Sequence, residues 1–185
     1  MDEQAYRKKL WSQLIEAHAN VMYTYETQQQ AATRRLEEYS CISNTQILLA
    51  ALSSCGFIAI AFGKSYLAAV TTAALSVVSL SLNLYSRGAS LPQKATAHRT
   101  TADSLWNLRQ DYISLLTDFD NLSIAEITKK RDSLQSQVHG QYKEAPRTND
   151  RDYKAAKNKL KEEETQTFER GECDRLLPVA LRGRF

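Results

Sequence analysis

Helix-breaking residues are scarce in this chain of 185 residues, which contains three prolines and six glycines. Neither type occurs before Gly56. Because proline and glycine are the strongest interruptions of a helix, everything before Gly56 can form one continuous helix. No segment shows the alternating apolar pattern of a β-strand, so the sequence predicts an all-α protein.

The cysteines and the net charge exclude further classes of protein. The three cysteines, Cys41, Cys55 and Cys173, form no C-x-x-C pair, which argues against a zinc ribbon or a disulfide framework. A net charge of +3 argues against a strongly basic nucleic-acid binder, so we expect no direct nucleic-acid partner. The histidines are dispersed, and no phosphate-binding glycine loop or nucleophile motif is present. We therefore expect no metal, no cofactor, no catalytic residue and no enzyme activity.

Charge is nearly absent from residues 41–86, where Lys64 is the single charged residue. An uncharged run of 25 residues precedes Lys64, and another of 22 residues follows it. About 20 helical residues cross the ~30 Å hydrocarbon core of a bilayer. The sequence therefore predicts two transmembrane helices at about 42–62 and 66–85. The alternative, a buried helical hairpin of a soluble protein, is disfavoured because soluble core helices rarely lack charge over such lengths.

The basic residues near these spans set the expected orientation. Five of them flank the hairpin on the side of the chain termini: Arg34, Arg35, Arg87, Lys94 and Arg99. The connection between the spans has only Lys64. Because basic residues are retained on the cytoplasmic side, we expect a multi-pass membrane protein in contact with lipid, with both termini in the cytoplasm.

These boundaries divide the chain into four parts. Residues 1–40 are expected to form an N-terminal cytoplasmic amphipathic helix, and 41–86 the transmembrane hairpin. Residues 87–160 are expected to form a cytoplasmic helical region, and 161–185 a charged tail. The predicted fold class is an all-α integral membrane protein, in which a two-helix transmembrane hairpin joins the long N-terminal helix to a C-terminal cytoplasmic helical bundle.

Apolar stripes mark the helices outside the hairpin. The first stripe consists of Leu10, Leu14, Ala17, Val21 and Tyr25. The second, after a break expected at Gly88 and Pro92, consists of Leu105, Leu108, Tyr112, Leu115 and Phe119. Steps of three and four residues place each stripe on one helical face, so we expect these faces to pack together.

Two further helices follow. Ser123 and Glu126 have the spacing of a capping box, which predicts the start of a helix. Ala145 and Pro146 predict its end, because proline disfavours a helical conformation in the preceding residue. A last, highly charged helix is expected at roughly Asp150–Arg170.

Within the second span, polar residues recur at steps of four, three and four and form a stripe on one helical face. With two residues of the first span, it supplies six pore-lining candidates: Thr72, Ser76, Ser79, Asn83, Gln46 and Ser53. Small residues of the first span are helix-packing candidates: Ala50, Ser54, Gly56, Ala59 and Gly63. Two interpretations stay open. The stripes could serve close helix packing, or several copies could turn them inward around a water-filled path.

Three arginines are candidates for contact with an anionic ligand: Arg99, Arg109 and Arg147. The alternative is that they lie on a solvated helix surface.

The C-terminal half carries residues of a known family. They include His98-Arg99, Leu105-Trp106-Asn107-Leu108-Arg109-Gln110-Asp111-Tyr112, and Ala145-Pro146-Arg147-Thr148 followed by Tyr153-Lys154-Ala155-Ala156. Together with the long first helix and the tight hairpin, these segments resemble the SLATT family, the two-transmembrane effector domains of prokaryotic nucleotide-dependent conflict systems.

The resemblance implies an anti-phage effector that forms a homo-oligomer and a gated pore in the inner membrane, so that the infected cell is depolarised or killed. It also implies a trigger, either a nucleotide second messenger or a partner protein such as a nucleotide synthase or a reverse transcriptase. The alternative function is a non-conducting membrane scaffold or sensor that recruits a cytoplasmic partner through its helices.

Overall fold

The computed structural model describes residues 3–63, 66–169 and 171–176, without the side chains of 59–63 and 174. Every regular element in these ranges is a helix, which confirms the predicted all-α fold. The helices are α1 (Glu3–Gly63), α2 (Tyr66–Ala89), α3 (Leu91–Thr117), α4 (Ile124–Glu144), α5 (Asp150–Lys161) and α6 (Glu172–Leu176). A 3-10 turn, Phe119–Asn121, lies between α3 and α4.

The first helix is uninterrupted. α1 has 61 residues, which corresponds to a length of about 90 Å. Its first half carries the amphipathic stripe, and its last third is the first apolar run. The expectation that no break separates them is confirmed, and the two parts belong to one helix.

A single residue separates α2 from α3. Ser90 has φ 48° and ψ 41°, in the left-handed region, and this conformation ends α2. Residues other than glycine, asparagine and aspartate rarely adopt it, because Cβ then approaches the following carbonyl oxygen. The break lies between the two expected positions, Gly88 and Pro92. Pro92 falls in the first turn of α3, where a missing amide hydrogen removes no intrahelical bond.

Recurring contacts fix the direction in which the helices pack. Side-chain hydrogen bonds join residues that are 118 positions apart: Gln13 with Arg131, Thr24 with Tyr142, Gln28 with Pro146, and Arg34 with Asp152. Because this offset is constant, the chain from α4 to the start of α5 runs parallel to α1. α3 runs antiparallel to α1, since Trp11 contacts Phe119 whereas Tyr25 contacts Trp106.

The first half of α1 packs with α3 and α4 around one hydrophobic core. Its buried members are Leu10, Leu14, Val21, Leu105, Leu108, Tyr112, Leu115, Phe119, Ile127 and Leu134. Full burial of a leucine, isoleucine or phenylalanine side chain stabilises a fold by about 1.5–3 kcal/mol. This core, which we call the helical core, is therefore the main source of stability outside the hairpin.

The predicted ends of α4 are confirmed. The Ser123 side chain accepts a hydrogen bond from the Glu126 amide, and the Glu126 carboxylate accepts one from the Ser123 amide. This reciprocal pair satisfies two amides that lack intrahelical partners. At the other end, Ala145 leaves the helical conformation immediately before Pro146.

The expected length of the last long helix was wrong. α5 ends at Lys161 rather than near residue 170. Glu162, Glu163 and Glu164 follow it directly, and acidic side chains at a helix C-terminus are unfavourable beside the negative end of the helix dipole. Glu164 also has φ 48°, which is incompatible with a continued helix.

The two apolar helical segments are not buried by the rest of the chain. Both are long and apolar enough to cross a membrane, and only 0% and 6% of the residues in their most apolar windows are buried. A core helix of a soluble protein would be covered by its neighbours. The described residues therefore argue against the alternative of a buried soluble hairpin.

Candidate functional site

The two apolar helices approach each other closely at Gly56 of α1 and Thr72 of α2. A Cβ atom at Gly56 would collide with the Thr72 hydroxyl and would lie 3.3 Å from Thr72 Cβ. Thr72 is buried by this contact. A glycine facing a small hydroxylated residue is typical of tightly packed membrane helices. Here the pair joins the two helices of one hairpin.

The pore-lining candidates divide into two groups. Thr72 is buried and Ser79 is half-buried, whereas Ser76 and Asn83 are exposed on α2. On α1, Gln46 and Ser53 are half-buried and share the helical face of Gly56, because they precede it by ten and three residues. The residues on this face lie at the contact with α2, while Ser76 and Asn83 remain accessible to another molecule. The lining of a pore by these six residues stays a prediction.

The packing candidates also differ in position. Gly56 lies at the contact with α2, whereas Ala50 and Ser54 are exposed. The side chains of Ala59 and Gly63 lie outside the described residues.

Most exposed hydroxyls of the hairpin bond to their own helix. Ser76 Oγ donates to the Thr72 carbonyl at 2.9 Å, Ser54 Oγ to the Ala50 carbonyl at 2.9 Å, and Ser81 Oγ to the Val77 carbonyl at 2.9 Å. Such bonds satisfy a hydroxyl without water or a second helix. These side chains can therefore face either hydrocarbon or a polar path.

At the end of the hairpin nearer the chain termini, α1 and α2 are joined by two linked side-chain hydrogen bonds. Tyr85 Oη donates to Glu38 Oε1 at 3.2 Å, and Arg35 Nη1 donates to Glu38 Oε2 at 3.3 Å. The tyrosine lies at the predicted end of the second span. This link fixes the base of α2 against the continuous first helix.

One turn further from the hairpin, an ion pair joins α1 to α5. Arg34 Nε and Nη2 donate to the two oxygens of Asp152 at 2.6 and 3.1 Å. The same carboxylate accepts from the Asn149 amide and thereby completes the N-terminal cap of α5. Burial alone would raise the pKa of Asp152, but the hydrogen bonds from Arg34 and Asn149 and the charge of Arg34 hold it below its usual value.

A second buried link joins α1 to α3 and to the α4–α5 connection. Gln28 Nε2 donates to the Pro146 carbonyl at 3.2 Å, and Gln28 Oε1 lies 2.6 Å from His98 Nδ1. Because the amide oxygen can only accept, His98 Nδ1 carries the proton. Burial, followed by the charge of Arg35, lowers the pKa of His98 and so favours the neutral imidazole. We call these two links, Arg34–Asp152 and His98–Gln28–Pro146, the polar junction.

Two of the three anionic-ligand candidates lie far apart, and their contact with a ligand stays a prediction. Arg99 and Arg109 lie ten residues apart on α3, or about 15 Å along the helix axis. Arg109 stacks over the Trp106 ring, 4.7 Å from its centroid. Arg147 lines a shallow groove of about 440 Å³ with Thr24, Tyr142, Ala145, Pro146 and Thr148.

The polar junction was not predicted from the sequence. Asn149 and Asp152 have the three-residue spacing of a helix cap, which locates the start of α5. No local signal indicates that Asp152 also pairs with Arg34, 118 positions earlier. His98 was noted only as part of a family segment.

The family of the chain is shown by a match over most of its length. The sequence profile of the SMODS and SLOG-associating 2TM effector domain family 4 matches residues 10–172. The chain belongs to this family. The SLATT match includes both apolar helices, the helical core and the polar junction, and it confirms the resemblance found in the sequence. No curated protein and no solved structure matches the chain significantly.

Proposed function

We propose that the chain is the membrane effector of a prokaryotic anti-phage defence system. In this proposal it oligomerises in the inner membrane and forms a gated pore that depolarises or kills the infected cell. It acts without catalysis, and both termini are cytoplasmic.

The observation that carries the proposal is the hairpin of the SLATT domain. Its two helices contact each other at Gly56 and Thr72, while their apolar surfaces are left uncovered. Transferring such surface from water to lipid is favourable. A membrane location therefore accounts for an apolar exposure that a soluble protein would bury.

Several copies are needed for conduction, because two helices cannot enclose a water path. Ser76 and Asn83 lie on the open side of α2. Asn83 is a carboxamide with no intrachain hydrogen bond among the described residues. In an assembly, these two side chains offer the polar surface that a wide, weakly selective pore requires.

Gating follows from the continuity of α1. The same helix belongs to the helical core and to the hairpin, so a change in the packing of the core is transmitted to the first span. A trigger shifts the equilibrium by binding one arrangement more tightly than the other. A nucleotide second messenger, or a partner such as a nucleotide synthase or a reverse transcriptase, fits this role.

Membrane potential in bacteria tests the proposal. The chain is induced from a tight promoter, alone and with its neighbouring gene product, and a voltage-sensitive dye is followed. We expect rapid depolarisation that is lost when Ser76→Leu and Asn83→Leu are combined. Val77→Leu, at an exposed apolar position, serves as the matched control and should still depolarise. Equal leakage from the double variant and the control would refute the lining by Ser76 and Asn83.

The second candidate function is a non-conducting scaffold or sensor. It is favoured by the internal hydrogen bonds of Ser54, Ser76 and Ser81, which leave these hydroxyls without need of water. A flat voltage trace in the presence of the partner, with the protein in the membrane fraction, would support this function over a pore.

A further inference from the structure

One face of the α1–α3 pair is apolar and half-exposed. Its members, which we call the outer strip, are Trp11, Ile15, Met22, Trp106, Arg109 and Ile113. The exposed fractions of Trp11 and Ile15 on α1 are 39% and 45%, and those of Trp106 and Ile113 on α3 are 38% and 37%. Large apolar side chains grouped in this way on a helical domain mark an interaction surface.

The outer strip lies away from α4. Trp11, Ile15 and Met22 are separated by four and seven residues and share one helical face. The residues of α1 that bond to α4, Gln13 and Thr24, lie on another face. The strip is therefore the side of the α1–α3 pair that no third helix of the described residues covers.

A positive charge at the centre of the strip has no counter-ion. Arg109 forms no ion pair among the described residues, and its Nε is buried without a hydrogen-bond partner. His18 Nε2, on the adjacent α1, is likewise buried and unpaired. Burial, and then the charge of Arg109, lowers the pKa of His18. Arg109 is therefore left without a negatively charged acceptor among the described residues.

The far end of the strip is also basic. Arg7 and Lys8 flank Trp11 in a groove that contains a single acidic residue, Asp120. Arg7 donates its bonds to the backbone carbonyls of Phe119 and Leu122 rather than to a carboxylate. An occupant of the strip must therefore combine apolar side chains with acidic ones.

The segment after α5 has this composition. Residues 162–176 contain six acidic and two basic residues. Phe168 and Leu176 are 63% and 71% exposed, so the segment does not bury its apolar side chains in its own chain. The strip and the segment are complementary in charge, and the apolar side chains of both are exposed among the residues that the structure describes.

Two other occupants fit less well. A symmetric contact between two strips would bring Arg109 close to its own copy, and like charges in an interface cost several kcal/mol. Membrane lipid cannot reach the whole strip, because Trp11 lies 31 residues before the first span, or about 45 Å along α1. An acidic segment of another molecule avoids both objections, because its charge is opposite to that of Arg109 and it is not confined to the membrane.

We propose that the outer strip of one copy binds the acidic segment, residues 162–176, of a second copy. The contact joins different surfaces of the two partners, and contacts of this kind close into rings when the rotation between copies permits. The inference rests on the proposed function, because only copies in one membrane with the same orientation lie side by side. It names the contact through which the effector would assemble.

Disulfide trapping in membranes tests the contact, because Cys173 lies exposed within the acidic segment. Cys41→Ser and Cys55→Ser remove the other thiols. One tagged copy then carries Ile113→Cys with Cys173→Ser, and a second, differently tagged copy keeps Cys173. Mild oxidation should give a disulfide dimer that contains both tags. The matched control replaces Ile113→Cys by Ser136→Cys, at an exposed position on α4, and should give little dimer.

Charge exchange separates specific docking from misfolding. Arg109→Glu should lower the yield of mixed dimer about tenfold. Combining Glu162→Lys, Glu164→Lys and Glu169→Lys in the second copy should restore it, which a misfolded Arg109→Glu variant could not do. Equal yields from the Ser136→Cys control, or dimers of the Ile113→Cys copy with itself in place of mixed dimers, would each overturn the proposal. The voltage assay distinguishes the two proposals, since depolarisation without mixed dimers overturns the docking alone, and mixed dimers without depolarisation overturn the pore alone.

Discussion

The Arg34 guanidinium donates two hydrogen bonds, of 2.6 and 3.1 Å, to the Asp152 carboxylate, and only 1% of the Asp152 side chain is exposed. Bidentate pairs of this kind are geometrically specific as well as strong. Arg34 belongs to the helix that continues into the hairpin, whereas Asp152 opens α5. The ion pair therefore ties the C-terminal part of the chain to the base of the first span.

Loss of this carboxylate should destabilise the protein. Asp152→Asn leaves the Arg34 charge without a partner in a mostly buried site, where breaking a pair costs up to 3–5 kcal/mol. Arg34 is 27% exposed, and its partial hydration reduces the expected loss to about 2 kcal/mol. Urea unfolding in detergent, followed by circular dichroism, measures it.

The control for this prediction is the exposed pair of Lys159 and Glu163, whose side chains are 39% and 44% exposed. Lys159→Gln should cost less than about 0.5 kcal/mol, because exposed ion pairs contribute little. Equal losses from the two variants would show that the Arg34–Asp152 pair is not energetically special.

The hairpin contact should show coupling between its two residues. Gly56→Ala introduces a Cβ that collides with the Thr72 hydroxyl, so the Thr72 side chain or the two helices must shift. Thr72→Ala removes the hydroxyl and should recover part of the loss, giving a coupling energy of about 1 kcal/mol in a double-mutant cycle. Thermal unfolding in detergent micelles provides the four stabilities.

Gly88→Ala is the matched control for the hairpin, since nothing lies within 4 Å of the added Cβ. Alanine is the better helix former, so this variant should be neutral or more stable by up to about 1 kcal/mol. If the two glycine variants behaved alike, the close approach at Gly56 would be refuted.

The capping box of α4 should contribute measurably to the helical core. Ser123→Ala removes the acceptor of the Glu126 amide, and loss of an N-cap side chain typically costs about 1 kcal/mol. Ser136→Ala, at an exposed position inside the same helix, should change stability little. A melting temperature unchanged by Ser123→Ala would argue against a structural role for the cap.

Stability should fall on acidification because of the polar junction. The folded-state pKa of His98 is lowered, so the unfolded chain takes up a proton first, and stability is lost as the pH falls below about 6.5. The pKa of Asp152 is also lowered, so its contribution is lost further down, below about 3.9. The charged groups that act on His98 are Arg34 and Arg35 from α1 and Asp152 from α5.

A pH series of melting temperatures checks this order of events. The wild-type chain should lose stability between about pH 6.5 and 5, where histidine titrates. His98→Gln should reduce the loss in that part of the curve, where the remainder belongs to His18, whose pKa is also lowered, and should leave the lower part, which belongs to the carboxylate, in place. A wild-type curve that is already flat between pH 6.5 and 5 would contradict a neutral, buried His98.

The sequence predicted those features that depend on neighbouring residues. The absence of proline and glycine before Gly56 predicted the continuous α1, and the spacing of Ser123 and Glu126 predicted the start of α4. The end of α5 was missed because periodicity alone did not weigh the acidic run at residues 162–164 against the helix dipole. The polar junction was missed for a different reason. Its partners are 70 and 118 positions apart, and no spacing rule connects residues on separate helices.

The candidate pore residues show the same limit. The steps of four, three and four placed Thr72, Ser76, Ser79 and Asn83 on one face of α2. One face of a helix is wide, however, and α1 covers only part of this face of α2. Thr72 and Ser79 lie toward α1, whereas Ser76 and Asn83 lie at the open edge. Which half of a stripe is covered depends on the angle and position at which two helices cross. The sequence of one helix does not determine that crossing.

The order of the helices along the chain has a consequence for biosynthesis. The first half of α1 leaves the ribosome before the hairpin, but α3 and α4, against which it packs, leave after it. Since chains emerge from their N-terminus, the nascent protein presents Leu10, Leu14 and Val21 unburied while its membrane segments are being synthesised. The helical core can close only after the hairpin has been synthesised, so in the proposed membrane location the hairpin is available for insertion before the helical core is complete.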